Sequence, residues 1–236
     1  LKSRHESGRS TEEINAEFDK KVEQVTKQFQ ETLQTGLKDL VEESKKEVVK
    51  TVETNKRERE KSVIEEIVKA GILAPSAKNR QPWKYIVYTG ASKEHLLDAM
   101  ERGLVREKSG KALLPESAFG LPDAFHTLQI MREAPVTIII LNENGRTPYE
   151  NIDTDKRVSE ICDSLSIGAS VENMLLRATE LGLGTLWIAN TCFAYDELVE
   201  YIGTENQLVG AVALGVPDEE PASRPRKQLE NVLEYR

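Results

Sequence analysis

The stretch best equipped for chemistry is Ala74-Pro75-Ser76-Ala77-Lys78-Asn79-Arg80-Gln81-Pro82-Trp83. Two prolines bracket a polar run, so the backbone is stiff and several of its peptide groups have no ladder partner. Ser76, Asn79 and Gln81 add donors and acceptors suited to the edge of a heterocycle. The same residues also make an ordinary structural turn, and both readings stand at this point. Other chemistries lack their residues. No GxGxxG follows a strand, and there is no GxxxxGK[ST] phosphate loop and no G-x-S-x-G elbow. His5, His95 and His126 are too scattered for a zinc site. Cys162 lies in an apolar helical stretch and reads as core. Cys192 follows a strand, with nothing to mark it as reactive.

The elements that must position this loop alternate between helix and strand. Lys61–Ala74 reads as a helix running into it, with Val63, Ile64, Ile67 and Ile72 on one side. Trp83–Thr89 reads as the strand leaving it. Next come a helix at Lys93–Leu104 with Ser92 as N-cap, a mobile loop or excursion over 105–122, and a short helix at Asp123–Glu133. Val136–Asn142 is the clearest buried strand. Lys156–Leu181 is a long helix whose Gly168, Ala169 and Ser170 permit close packing, so it is central. Thr185–Ala189 and Leu208–Leu214 complete the strands, with Tyr195–Ile202 helical between them. Residues 216–236 form a tail rich in Pro, Arg and Glu. This is an α+β or α/β pattern of four or five strands.

The chain of 236 residues carries a net charge of −8, which gives no overall attraction for nucleic acid or anionic lipid. No apolar run is long enough to span a membrane and no signal-peptide pattern opens the chain. Two cysteines make no disulfide framework, so the expected setting is reducing and cytoplasmic. Charge is unevenly spread: 27 of residues 1–60 are charged, so that stretch holds no globular core. The expected division is therefore a charged helical arm, 1–60, and a domain, 61–236. Within the arm, Ser10 and Glu13 fit a capping box. Phe18, Val22, Val25, Phe29, Leu33, Leu37, Leu40, Val41, Val48 and Val52 recur at helical spacing. One long helix or a hairpin broken at Thr35-Gly36 would satisfy the pattern. Either needs a partner for its stripe, as a coiled coil or against the domain.

"GILAPSAKNRQPWKYIVYTG" resembles the Pro-Ser-x-x-Asn-x-Gln-Pro-Trp loop and following strand of the nitroreductase family of FMN-dependent enzymes. "APVTIIILN", "DSLSIGASVENMLLRATELGLGTLWIAN" and "LVGAVALGVPDEEPASRPRKQLENVLEYR" follow in the family's order. The resemblance covers about 61–236. It implies an α+β sandwich, a central mostly antiparallel sheet flanked by helices, and an intertwined homodimer with FMN at the interface. It implies contacts to the flavin from Pro75, Ser76 and Asn79, with Trp187, Ile188 and Ala189 running beside it. Arg224 and Arg226 match the basic pair that holds the FMN phosphate, a role suited to closely spaced guanidinium groups. At the N-terminus "LKSRHESGRS" resembles the family's Arg-[Arg/His]-Ser-x-Arg motif, with Arg4 and His5 in place. Glu6 stands where Ser is expected, Arg9 falls one position late, and the motif lies farther from Pro75 than usual.

The implied activity is hydride transfer from NADH or NADPH, via FMN, to a nitroaromatic, quinone or similar small-molecule acceptor by a ping-pong mechanism. No protein catalytic dyad is needed, because the cofactor carries the chemistry. Lys78 or Arg80 could supply positive charge near the flavin. The loop at 105–122, with Phe119, Leu121 and Phe125, is the candidate substrate lid. The alternatives are a family relative with a different flavin reaction, and a scaffold or assembly protein that uses the helical arm and has weak or lost flavin binding.

Overall fold

A computed structural model describes residues 11–236, so Arg4, His5 and the Ser10 cap lie outside the described residues. The chain divides into two units, Leu1–Ser62 and Val63–Arg236. The first unit is helical throughout its described length, and the helix, α1 (Thr11–Ile72), continues into the second. It is unbroken at Gly36. A single exposed glycine costs a helix only about 1 kcal/mol, too little to force a hairpin. All ten apolar residues of the arm stripe are exposed in the single chain.

In the second unit four strands form one antiparallel sheet in the order β1-β2-β4-β3. They are β1 (Trp83–Thr89), β2 (Val136–Asn142), β3 (Gly184–Ile188) and β4 (Gln207–Gly215). Every residue of β2 is buried, because helices cover both faces of the sheet. Alternation then divides the strand between two cores. Ile139 and Leu141 pack with Leu97, Met100 and Leu104 of α2 (Gly90–Lys108), Leu128 of α3 (Leu121–Glu133) and Leu198 of a later helix, α5 (Tyr195–Ile202). Ile138 and Ile140 pack with Ile67 of α1 and with Ile167, Val171 and Met174 of α4 (Thr154–Glu180). The result is the expected sandwich, antiparallel throughout.

Two local expectations are corrected. Ser92 is not an N-cap: α2 begins at Gly90, and the Ser92 hydroxyl donates to the Thr89 carbonyl at 2.9 Å from inside the first turn. Nor is 105–122 a free loop. α2 runs to Lys108, Pro115–Gly120 is a 3-10 turn, and the Glu107 carboxylate accepts from the backbone of Leu113 and Leu114 at 2.8 and 3.2 Å. Leu121 is buried in the core and Phe125 packs against that core beneath the Lys108 ammonium, so that of these three candidate lid residues Phe119 alone faces solvent. Among the described residues no helix is long and apolar enough to cross a membrane.

α2 depends on one glycine. A Cβ at Gly103 would fall 2.3 Å from Ala194 Cβ and 2.4 Å from its Cα, in the turn before α5. Backbone cannot yield as a flexible side chain does, so Gly103→Ala is expected to destabilise by about 1–3 kcal/mol. A melting temperature unchanged from the parent would show that the two elements part at no cost.

Candidate functional site

α4 is the element on which the predicted site residues converge. Asp153 starts it, its carboxylate accepting from Lys156 N at 2.8 Å. Asp163, Ser166 and Ser170 face inward from successive turns and are buried. The Ala77 backbone N–H donates to Ser166 Oγ at 3.2 Å, which anchors the 74–83 loop. One turn earlier, Asp163 accepts from Arg80 Nε and Nη2 at 3.0 and 2.7 Å, and Arg80 also donates to the Ser159 carbonyl. One turn later, Ser170 Oγ donates to the Gly71 carbonyl at 2.7 Å and meets the Tyr85 hydroxyl. Gly71 is needed there: a Cβ would come within 2.7 Å of the Met174 side chain. One helix thus holds the element before the loop, the loop itself and the strand after it.

Within the loop Lys78, Asn79 and Gln81 all have positive φ, at 53°, 54° and 47°. Left-handed backbone costs an ordinary L-residue roughly 1–2 kcal/mol, with Asn the mildest of these three. Such conformations persist where the surroundings over-determine them, and they cluster at functional sites. Here the ties to α4 are joined by Ser76 Oγ, which accepts from Gln81 N at 3.0 Å, and by the Pro82 carbonyl, which accepts from Glu143 N at 2.9 Å. Ser76 is half-buried and the Asn79 amide is exposed on this frame. The Asn79 side chain has no hydrogen bond among the described residues.

β3 approaches α4 from the other side. Trp187 is 44% exposed, and Gly168 of α4 lies under its ring, with 3.7 Å from the ring to an ideal Cβ at Gly168. Ile188 is buried in the core, while Ala189 is exposed. Gly210 of β4 lets the Ile188 carbonyl approach within 2.5 Å of where a Cβ would stand. The Asn190 amide then bonds Asp123 and Thr127 at 2.9 and 3.1 Å and fixes the turn. The structure therefore brings Pro75, Ser76, Asn79, Trp187, Ile188 and Ala189 to elements seated on or beside one helix. Arg224 and Arg226 are not brought there. They lie exposed in the tail, where Arg226 donates to the Arg224 carbonyl at 3.1 Å.

Arg80 is not the free cation expected near a cofactor, because Asp163 neutralises it. Lys78 is exposed. Cys162 is half-buried rather than core. Burial pushes the Cys192 thiol pKa up, which makes it a poor nucleophile. Asp163, Ser166 and Gly168 escaped the sequence reading as loop and site supports. Their small or polar character on an otherwise apolar helix was the available signal. A cavity of about 390 Å³ beside the loop is lined by Arg80, Asn144, Arg146, Ser159 and Asp163, and by none of Ser76, Asn79 or Trp187. A rigid polar edge and a half-exposed indole suit a planar heterocycle, and in one chain they form an open surface.

The chain belongs to the nitroreductase family. Residues 54–216 match the family description "Nitroreductase family". It is thus an oxidoreductase of the nitroreductase type. A protein of Archaeoglobus fulgidus, provisionally named NADH dehydrogenase/NAD(P)H nitroreductase, is 28% identical over 163 residues, which cover 66% of this chain and 74% of that one. Solved structures share the fold. A nitroreductase of Desulfovibrio desulfuricans in complex with FMN has 24% identity and a TM-score of 0.52, covering 74% of this chain and 84% of that one. The FMN-dependent nitroreductase NfnB of Mycobacterium smegmatis in complex with NADPH has 15% identity and a TM-score of 0.56, covering 74% and 88%.

Proposed function

We propose that this protein is an FMN-dependent NAD(P)H oxidoreductase that works as a homodimer, with residues 61–236 as the FMN-binding domain and 1–60 as an arm. The observation that carries the reading is the 74–83 loop: three left-handed residues held by α4, with the Asn79 amide exposed. Its donor set fits FMN. Asn79 and Ser76 would meet the polar edge of the ring system, Trp187, Ile188 and Ala189 would flank it, and Arg224 and Arg226 would hold the phosphate. Arg4 and His5 are proposed as further phosphate contacts.

When bound, FMN carries hydride from NADH or NADPH to an acceptor such as a nitroaromatic or a quinone. The chain's own residues bind and orient it. Asp163 and Ser166 hold the loop so that Asn79 is already aimed before the ligand arrives, which avoids an ordering cost on binding. Trp187 shields one side of the cleft from water.

Support for the homodimer comes from α4. Val158, Ile161, Leu165 and Leu176 are 52–71% exposed and lie along one face of the helix. Such an apolar stripe on the central helix of a domain marks an interface. A second chain there would close the open surface beside the loop. Free thiols at Cys162 and Cys192 suit the cytoplasm, where we place the protein.

If donor and acceptor occupy one cleft in turn, double-reciprocal plots at several acceptor concentrations give parallel lines. Intersecting lines would exclude a shared cleft. The purified protein is expected to be yellow. A colourless protein that takes up no added FMN would instead favour the assembly reading, to which the exposed arm lends its weight.

A further inference from the structure

The arm carries a pattern that neither the family nor the flavin chemistry requires. Eight of its eleven exposed large apolar residues are arranged symmetrically about Thr35. Phe18 mirrors Val52, Val22 mirrors Val48, Phe29 mirrors Val41 and Leu33 mirrors Leu37, each pair centred on residue 35. All eight are exposed, from 47% at Val22 to 65% at Phe18 and Phe29. Val25, Leu40 and Val49 fall opposite Lys45, Gln30 and Lys21, whose aliphatic stems can cover them. Gly36 stands beside the mirror point, and an ideal Cβ there meets nothing within 4 Å.

We propose that the arm pairs with the arm of a second copy of this chain, antiparallel, with the two-fold axis at Thr35-Gly36. Residues with mirrored spacing meet their own counterparts when an identical helix is turned end for end, so the contact is isologous. Charge selects the same orientation. Residues 12–25 hold Glu12, Glu13, Glu17, Asp19 and Glu23 against Lys20 and Lys21, a balance of −3. The mirrored window, 45–58, holds Lys45, Lys46, Lys50, Lys56 and Arg57 against Glu47, Glu53 and Glu58, a balance of +2. Antiparallel pairing sets −3 against +2 at both ends. Parallel pairing sets like against like, which selects against that register. Gly36 lets the backbones come closest at the axis. The apolar steps from Phe18 to Val52 are mostly of four residues, longer than the heptad average, so the pair winds with little or right-handed twist. The proposal does not rest on the flavin reading, because it concerns residues 11–62 alone.

Cysteine bridging in the full-length chain decides the orientation. In a background with Cys162→Ser and Cys192→Ser, the variants are Val22→Cys, Val48→Cys and the two together. In the antiparallel pair Val22 lies opposite Val48 of the second copy, while the two copies of Val22 are about 39 Å apart along the axis. The double variant should therefore form covalent dimers under a short thiol-bridging reagent, at no less than tenfold the yield of either single variant. The same spacing within one helix forbids an internal bridge. Adding Leu33→Lys and Leu37→Lys to the double variant should lower that yield at least tenfold while the helical circular dichroism is kept. Efficient bridging by either single variant would mean a parallel pair and overturn the proposal. Absence of covalent dimers from all three variants would overturn it as well.

Discussion

Replacing Arg224 and Arg226 together with alanine is expected to lower FMN affinity by a hundredfold or more, with little change in folding stability. Neither side chain packs against the domain: both are exposed, and the one hydrogen bond between the two residues runs from the Arg226 guanidinium to the Arg224 carbonyl. Their removal therefore disturbs no core. A phosphate held by both would lose two charge-assisted contacts worth about 1.5–3 kcal/mol each, and every 1.4 kcal/mol is a factor of ten. Single variants should each lose part of the affinity. Lysine replacements should recover the charge but not the bidentate geometry, and so restore only part of the binding. A titration of apoprotein with FMN measures this directly. Equal affinity for the parent and the double variant would remove the tail from the cofactor site. It would also move the phosphate to the N-terminal arginines or to another part of the domain.

Local pattern made much of the fold legible. The bounds of β1, β2 and α5 could be read to the residue, because the apolar run Val136–Leu141 and the turn residues around it leave few choices. The helicity of the arm was legible for the same reason, since three- and four-residue steps survive one glycine. Contacts distant in sequence were hidden. Arg80 reads as a free cation because Asp163 lies 83 residues further on. Ser92 looks like a cap, yet helix α2 starts two residues before it. Lys93 looks like a surface residue, but it is 4% exposed and donates three hydrogen bonds to the Met131, Arg132 and Ala134 carbonyls at the end of α3. The loop motif pointed to a candidate site, but not to the left-handed backbone at Lys78 and Gln81, because neither residue type favours it.

Arg80→Ala should destabilise the protein by about 3 kcal/mol and weaken FMN binding at least tenfold, although Arg80 need not touch the cofactor. Asp163 is 2% exposed, and the Arg80 guanidinium provides its two hydrogen bonds. Removing Arg80 leaves that carboxylate buried without its counter-charge. Breaking a buried pair from one side typically costs about 3–5 kcal/mol. The lower end applies here because the Arg80 side chain keeps 31% of its surface in solvent. The same change cuts the loop from the Ser159 carbonyl, which leaves, among the described residues, the bond from Ala77 N to Ser166 Oγ between loop and α4. With fewer restraints, Lys78, Asn79 and Gln81 can relax out of the left-handed region, and Asn79 is no longer pre-aimed. The test is a double-mutant cycle. If the unpaired charge is the cause, Arg80→Ala with Asp163→Ala should be more stable than Arg80→Ala alone, because the orphaned carboxylate is gone. FMN affinity should stay low in the double variant, because the loop is still untied. Recovery of affinity together with stability would show that the loop holds its shape without this pair. A double variant no more stable than the single would show that the loss came from packing rather than from the buried charge.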